Sequence, residues 1–351
     1  MINTTHKTII GDSRNLCEIN DESIDLVVTS PPYPMIQMWD KSFSSISSKV
    51  NDALVRKDGQ SAFEAMHHEL DKTWNELYRV LKTGSFACIN IGDATRTING
   101  RFRLYPNHAR IISAFLDIGF DALPVILWRK TTNAPNKFMG SGMLPSGAYV
   151  TLEHEYILIF RKGPKRDFSD PLHKNKRMES SFFWEERNKW FSDIWDFKGV
   201  IQNLNNRELR NRSAAFPLEM AYRLINMYSL YSDTILDPFA GTGTTSLAAI
   251  ASGRSSIGVE IDKGFAPVIL GQQKKFLDQA NDLLHSRISS HNDFVASRSL
   301  AKGPLKYLNE PHGFAVMTRQ ETQIRLYRIA EIIAGGEYET KVKYELAGNL
   351  L

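Results

Sequence analysis

A mostly parallel α/β fold is predicted by two features of the chain. Seven short apolar runs have the length of buried strands: Thr8–Ile10, Ile24–Thr29, Ser85–Ile91, Leu123–Trp128, Glu155–Phe160, Thr234–Leu236 and Ser256–Ile261. Between them lie segments with helical spacing. Ser61–Lys82 places Phe63, Met66, Leu70, Trp74, Leu77 and Leu81 three or four residues apart, on one helical face. Asn107–Leu116 and Leu218–Tyr228 read the same way, as do the small-residue run Ser246–Ala251 and the longer Lys263–Ser289. Strand–helix alternation of this kind implies a sheet covered on both faces. In the polar tail, Gln320–Ala334 is expected to be a further helix. No internal repeat of solenoid or propeller length is present.

Composition excludes several classes. The 351 residues are 42% hydrophobic and 23% charged, enough to bury a large core. Two cysteines, Cys17 and Cys88, cannot staple a chain of this length. There is no apolar run of the ~18 residues that a membrane span needs, and Met1–Asp12 lacks a secretory pattern. A cytoplasmic protein without membrane contact is expected. The formal net charge of +4 is unevenly spread: Arg161–Ala215 holds 13 Lys/Arg against 8 Asp/Glu, and the rest of the chain 30 against 31. A localised basic excess of this kind suits an anionic partner.

Thr234-Ile-Leu-Asp-Pro-Phe-Ala-Gly-Thr-Gly-Thr-Thr245 runs from a strand through a glycine turn into a helix. Gly241 and Gly243 permit positive φ and a close backbone approach to a ligand. Glu260 ends the next strand, where a carboxylate can accept both hydroxyls of a ribose. The pattern lacks the third glycine of a dinucleotide fingerprint and the lysine of a phosphate loop, so a nucleoside without pyrophosphate is expected. A second strand ends abruptly in Ser30-Pro31-Pro32-Tyr33. Two prolines hold the chain rigid and remove backbone donors, leaving carbonyls to accept from an exocyclic amine. Tyr33 offers a face on which a planar base could stack.

These two segments resemble motif IV and motif I of amino-directed DNA methyltransferases that use S-adenosylmethionine. Motif IV precedes motif I, as in the permuted β-class, and the Ser-Pro-Pro-Tyr form is most similar to the cytosine-N4 enzymes of restriction–modification systems. The resemblance runs from about Lys7 to Asp262 and includes Leu81–Phe86, His154–Lys162 and Ala215–Glu219. It implies a Rossmann-like fold with a seven-stranded sheet and direct methyl transfer to a flipped-out base. By position, Asp237, Phe239, Gly241, Gly243 and Thr244 would surround the cofactor, and Glu260 would hold its ribose. Asp12 would accept from its adenine amine, and Phe216 with Pro217 would close the pocket. Thr242 and Thr245 are further candidates, with helix capping as an equal alternative. The catalytic set would be Ser30, Pro31, Pro32 and Tyr33, with the Ser30 hydroxyl and a Pro31–Pro32 carbonyl accepting from the amine.

The same resemblance divides the chain into a catalytic half (1–162), a target-recognition region (163–212), a cofactor-binding half (213–290) and a C-terminal extension (291–351). The partner would be double-stranded DNA, with a cognate restriction endonuclease acting on the same site. Most aromatics of Phe182–Phe197 are expected to form a small core, and Arg207, Arg210 and Arg212 are candidate phosphate contacts. Ser42–Gln60 is expected to be a polar flap, and Lys130–Tyr149 a loop beside the active site. The histidines lack ligand spacing, so no metal is expected. Neither cysteine follows a proline, which argues against carbon-5 chemistry. Adenine-N6 methylation is the alternative, ahead of an RNA methyltransferase or a non-catalytic nucleic-acid-binding module.

Overall fold

The computed structural model describes residues 2–130, 139–199 and 216–348. In chain order the strands are β1 (Ile2–Ile10), β2 (Ile24–Thr29), β3 (Leu81–Ile91), β4 and β5 (Ala94–Ile98, Arg101–Tyr105), β6 (Phe120–Arg129), β7 and β8 (Met139–Gly140, Ala148–Tyr149), β9 (His154–Lys162), β10 (Ile194–Asp196), β11 (Thr234–Asp237), β12 (Ser255–Glu260), β13 and β14 (Tyr307–Leu308, Ala315–Val316), β15 (Tyr327–Ala334) and β16 (Glu339–Leu346). The helices are α1 (Asp40–Ile46), α2 (Ser48–Val55), α3 (Gly59–Val80), α4 (Asn107–Ile118), α5 (Pro171–Glu179), α6 (Trp184–Trp190), α7 (Leu218–Tyr228), α8 (Thr244–Ser252), α9 (Ala266–Lys274) and α10 (Leu277–Lys302).

Ten strands form one sheet in the order β10-β6-β9-β3-β2-β11-β12-β1-β16-β15. Its middle seven are the seven expected from the sequence. β3, β2, β11, β12 and β1 pair in parallel, while β9 runs antiparallel to both β3 and β6. Pro124 cannot donate to a ladder, and the β6–β9 register shifts between Leu123 and Ile126. Every residue of β2 is buried. Its Ile24 and Val27 join the core beneath α3 and α4, and its Leu26 and Val28 join the core beneath α7 and α8. The central strand is thus enclosed on both faces, as a parallel sheet requires.

α3 begins where the Asp58 carboxylate accepts from Ser61 N at 3.1 Å. Its Trp74 is fully buried against Phe115, which stacks on Phe160 with ring centroids 4.0 Å apart. Truncating such an aromatic costs about 3–5 kcal/mol. The tail differs from expectation. Gln320–Ala334 is not a helix; a 3-10 turn at Arg319–Glu321 leads to β15, which pairs with β16. A bulge between Ile329 and Glu331 breaks the two-residue alternation and gives the apolar residues helix-like spacing. The expected helix Lys263–Ser289 is divided into a 3-10 turn (Lys263–Phe265), α9 and α10.

The basic segment does not stand apart. β10 adds an edge strand parallel to β6, and Phe183 shares a core with Leu284, Ile288, Phe314, Ile324 and Leu326. Phe183, Trp190 and Trp195 are buried, whereas Trp184 and Phe191 stay about two-fifths exposed. Four of its cations pair within the fold: Arg161 with Asp121, Lys162 with Glu22, and Arg166 and Lys176 with the buried Asp233. Arg207, Arg210 and Arg212 lie outside the described residues.

Candidate active site

Because β2, β11, β12 and β1 run in parallel, their carboxyl ends meet along one edge of the sheet. A cleft of about 710 Å³ opens there. Its wall includes ten of the thirteen residues of the expected catalytic and cofactor sets, Asp12, Ser30, Pro31, Pro32, Phe216, Asp237, Phe239, Gly241, Thr244 and Glu260, together with the further candidate Thr242. The other three sit behind it. Tyr33 lies beneath Ser30, Pro217 starts α7, and Gly243 packs on α9, where an added Cβ would come within 3.0 Å of Ile269.

Asp237 is buried, and its carboxylate is claimed from inside the protein. It accepts from Thr29 Oγ1 at 2.5 Å, Thr245 Oγ1 at 2.7 Å and Phe239 N at 3.1 Å. The residue therefore ties β2 to the glycine turn and to α8, and Thr245 acts as part of this tie, not as a helix cap. Burial raises the Asp237 pKa against the lowering effect of these bonds. Gly241, at φ +52°, donates its N–H to Glu260 Oε2 at 2.8 Å, while Asp262 N donates to Oε1 at 2.9 Å. Burial pushes the Glu260 carboxyl up as well. Burial also opposes ionisation of Asp12, but hydrogen bonds from Arg14 and its charge outweigh it and hold that carboxyl below its ordinary value.

These observations test the kind of ligand. Gly241 N serves Glu260, so it is not free to cradle a phosphate. Among the described residues no cation pairs with Asp237 or Glu260, whereas Arg14 is shared between Asp12 and Glu69. Such a wall suits a cationic ligand with hydroxyl donors. Its volume falls in the ~300–1,000 Å³ range of small-molecule sites. A sulfonium nucleoside fits the donors, the charge and the space.

Sequence reasoning missed two parts of the site. The first is α1, expected as part of a polar flap. Asp40 pairs bidentately with Arg96 of β4, Phe43 is buried, and Trp39, Phe43 and Ile46 complete the cleft. The second lies under Ser30. Ser30 Oγ donates to Tyr33 Oη at 3.2 Å, and Tyr33 Oη donates to Glu155 Oε2 at 2.9 Å. Asn90 Nδ2 donates to both Tyr33 Oη and Glu155 Oε2, each at 2.8 Å. Lys130 pairs with the other oxygen of Glu155. Burial and then the Glu155 charge push the Tyr33 hydroxyl well above its usual pKa, so it remains a donor. The Tyr33 ring lies close to Gly92, where an added Cβ would come within 3.0 Å of Cε2. Glu155 lies within the His154–Lys162 strand seen in the sequence, but no local motif links it to residues more than 60 positions away.

The cysteines take no part. Cys88 is buried in β3 with its thiol pushed up by burial, and Cys17 is exposed away from the cleft. Among the described residues no helix is long and apolar enough to cross a membrane.

Comparison with known proteins agrees with this geometry. Residues 24–270 match the DNA methylase family. The type II methyltransferase M.MthZI of Methanothermobacter thermautotrophicus is 50% identical over 96% of this chain and 94% of its own length. The type II methyltransferase M.MjaI of Methanocaldococcus jannaschii is 51% identical over 76% of this chain and 91% of its own. Among solved structures, a DNA-modification-methylase candidate from Thermus thermophilus, complexed with S-adenosyl-L-methionine, is 32% identical. It superposes with a TM-score of 0.59 over 78% of this chain and 96% of its own. The cytosine-N4-specific PvuII DNA methyltransferase shares the fold, with a TM-score of 0.54 at 19% identity over 79% of this chain and 93% of its own. The chain belongs to the DNA methylase family and is an S-adenosylmethionine-dependent DNA methyltransferase.

Proposed function

We propose that the protein methylates the exocyclic N4 amine of cytosine at a specific site in duplex DNA, as a permuted β-class enzyme of a restriction–modification system. The observation that carries this reading is Ser30, a neutral hydroxyl at the carboxyl end of β2, on the same cleft wall as Asp237 and Glu260. The cytosine amine is a poor nucleophile because its lone pair is delocalised into the ring. Hydrogen bonds from it to Ser30 Oγ and to a carbonyl of Pro31 or Pro32 favour a pyramidal nitrogen whose lone pair faces the methyl group. Methyl transfer to this nitrogen would leave the cofactor as a neutral thioether, and the methylated amine would pass its extra proton to solvent. No covalent enzyme intermediate is involved, so positioning supplies much of the rate.

When bound, S-adenosylmethionine supplies the electrophilic methyl group. Glu260 would accept from the ribose hydroxyls and Asp12 from the adenine amine. Asp237, Phe239, Gly241 and Thr244 would face the remainder of the cofactor, and Phe216 would close the cleft, with Pro217 and Gly243 shaping the backbone behind it. The target base must leave the stack to reach Ser30, and Tyr33 beneath it supports the position the base enters.

DNA reading is assigned to 163–212, between the catalytic half (1–162) and the cofactor-binding half (213–290), with 291–351 as an extension. Lys165, Lys174, Lys189 and Lys198 have no ion-pair partner among the described residues and supply cations for phosphate contacts. In this reading a cognate endonuclease cuts the same site without touching the methyltransferase. The type II names of M.MthZI and M.MjaI support this placement. Incubating cofactor with defined duplexes and identifying the modified nucleoside by mass spectrometry tests the reading. N4-methylcytosine is expected; N6-methyladenine would replace cytosine by adenine as the target.

A further inference from the structure

We propose that Glu155 sets the direction of the hydrogen bonds leading to Ser30, so that the serine hydroxyl meets the target amine as an acceptor. This inference rests on the reading of Ser30 as the residue that receives the amine. A serine hydroxyl is ambivalent, with one proton to donate and two lone pairs to accept with. An aspartate at the same position would accept in any orientation. A serine needs its proton directed elsewhere.

The chain beneath Ser30 does this. An ionised carboxylate only accepts, so the 2.9 Å contact between Glu155 Oε2 and Tyr33 Oη uses the tyrosine proton. With that proton committed, Tyr33 Oη can only accept from its other neighbours. Asn90 Nδ2 donates to it at 2.8 Å, and Ser30 Oγ must donate to it at 3.2 Å. Asn90 is oriented by the same carboxylate, since its Nδ2 also lies 2.8 Å from Glu155 Oε2. The Ser30 proton is therefore spent inward; Asn90 Nδ2 also reaches Ser30 Oγ, at a long 3.5 Å, and a lone pair remains for the cleft. Lys130 pairs with the other Glu155 oxygen, which leaves Oε2 to Tyr33 and Asn90. Glu155 touches neither substrate nor cofactor in this scheme; it is a positioning residue.

Glutamine at this position keeps the shape but can donate to Tyr33 Oη. The tyrosine proton then turns to Ser30, whose own proton turns to the cleft and opposes the amine. In single-turnover assays at saturating cofactor and DNA, Glu155→Gln is expected to slow methyl transfer roughly 10- to 100-fold, as loss of one oriented hydrogen bond does. Cofactor and DNA dissociation constants should stay within about twofold, which also reports that the variant is folded. The costs of Glu155→Gln and Tyr33→Phe should not multiply, because both break one chain. In a Ser30→Asp background, where the acceptor needs no instruction, adding Glu155→Gln should slow transfer by less than about threefold.

A wild-type rate in Glu155→Gln would overturn the proposal. So would weakened cofactor binding, multiplying costs, or an undiminished effect beside Asp at position 30. Ser30→Ala separates the two levels. If it transfers at the wild-type rate, the assignment of Ser30 itself fails; if it is slow while Glu155→Gln is fast, only the role of Glu155 fails.

Discussion

The two halves of the cleft are built on opposite principles. On the cofactor side, Asp237 and Glu260 are carboxylates held by the protein's own backbone and hydroxyls, so the wall is rigid and negative before any ligand arrives. On the target side, the Glu155 carboxylate directs two hydroxyls in a chain through Tyr33 to Ser30. The first arrangement recognises a charge and two hydroxyls. The second orients one lone pair. Binding and chemistry are thus separable by mutation, although both sides converge on one sheet edge.

Asp237→Ala should have the largest effect because it damages the frame of both halves. Thr29, Thr245 and Phe239 N would lose their acceptor inside the protein, at a cost of about 2–4 kcal/mol. Calorimetry should show cofactor affinity lost, and thermal unfolding should show a lower Tm. Ser30→Ala comes next: kcat should fall roughly 10²- to 10³-fold with cofactor affinity unchanged. Gly243→Ala should destabilise by about 1–3 kcal/mol in chemical denaturation. It forces φ +85° on a residue with a Cβ and presses that Cβ on Ile269.

Glu260→Gln should weaken cofactor binding about tenfold. Its pH dependence has a definite sign. Burial raises the Glu260 pKa in the folded protein, so its ionisation costs folding stability as pH rises through that value. A ligand with hydroxyl donors binds the ionised form better. Cofactor affinity should therefore decline as pH falls through the raised pKa, and the glutamine variant should flatten that limb in titration calorimetry. The smallest effect on function is expected at Arg166, although it belongs to the basic segment. It pairs with the buried Asp233 at 2.8 Å. Arg166→Ala should cost about 1–3 kcal/mol of stability and leave the salt dependence of DNA binding unchanged, whereas Lys174→Glu should reduce that dependence.

The same contrast explains what the sequence disclosed. The seven central strands were legible because each carries a short apolar run, parallel or antiparallel, and the glycine turn and Ser-Pro-Pro-Tyr were legible because each is a local device. The cofactor wall follows from adjacent residues at strand ends. The Asn90–Glu155 arm was not legible, since it is assembled from β3 and β9 and no local spacing signals it. The role of α1 was hidden for a related reason: its serines suggested a flap, but Phe43 anchors it in the core with Ile46 packed beside it. In the tail, one bulge made β15 resemble a helix until its pairing with β16 was seen. The charge excess at Arg161–Ala215 is plain in the sequence, yet part of it neutralises acidic groups of the fold itself.

The division of labour is tested most directly by measuring cofactor dissociation constant and single-turnover rate on the same two variants. Ser30→Ala should lose rate and keep affinity, and Glu260→Gln should lose affinity and approach the wild-type rate at saturating cofactor. A Ser30→Ala enzyme that binds cofactor weakly, or a Glu260→Gln enzyme that stays slow at saturation, would contradict it.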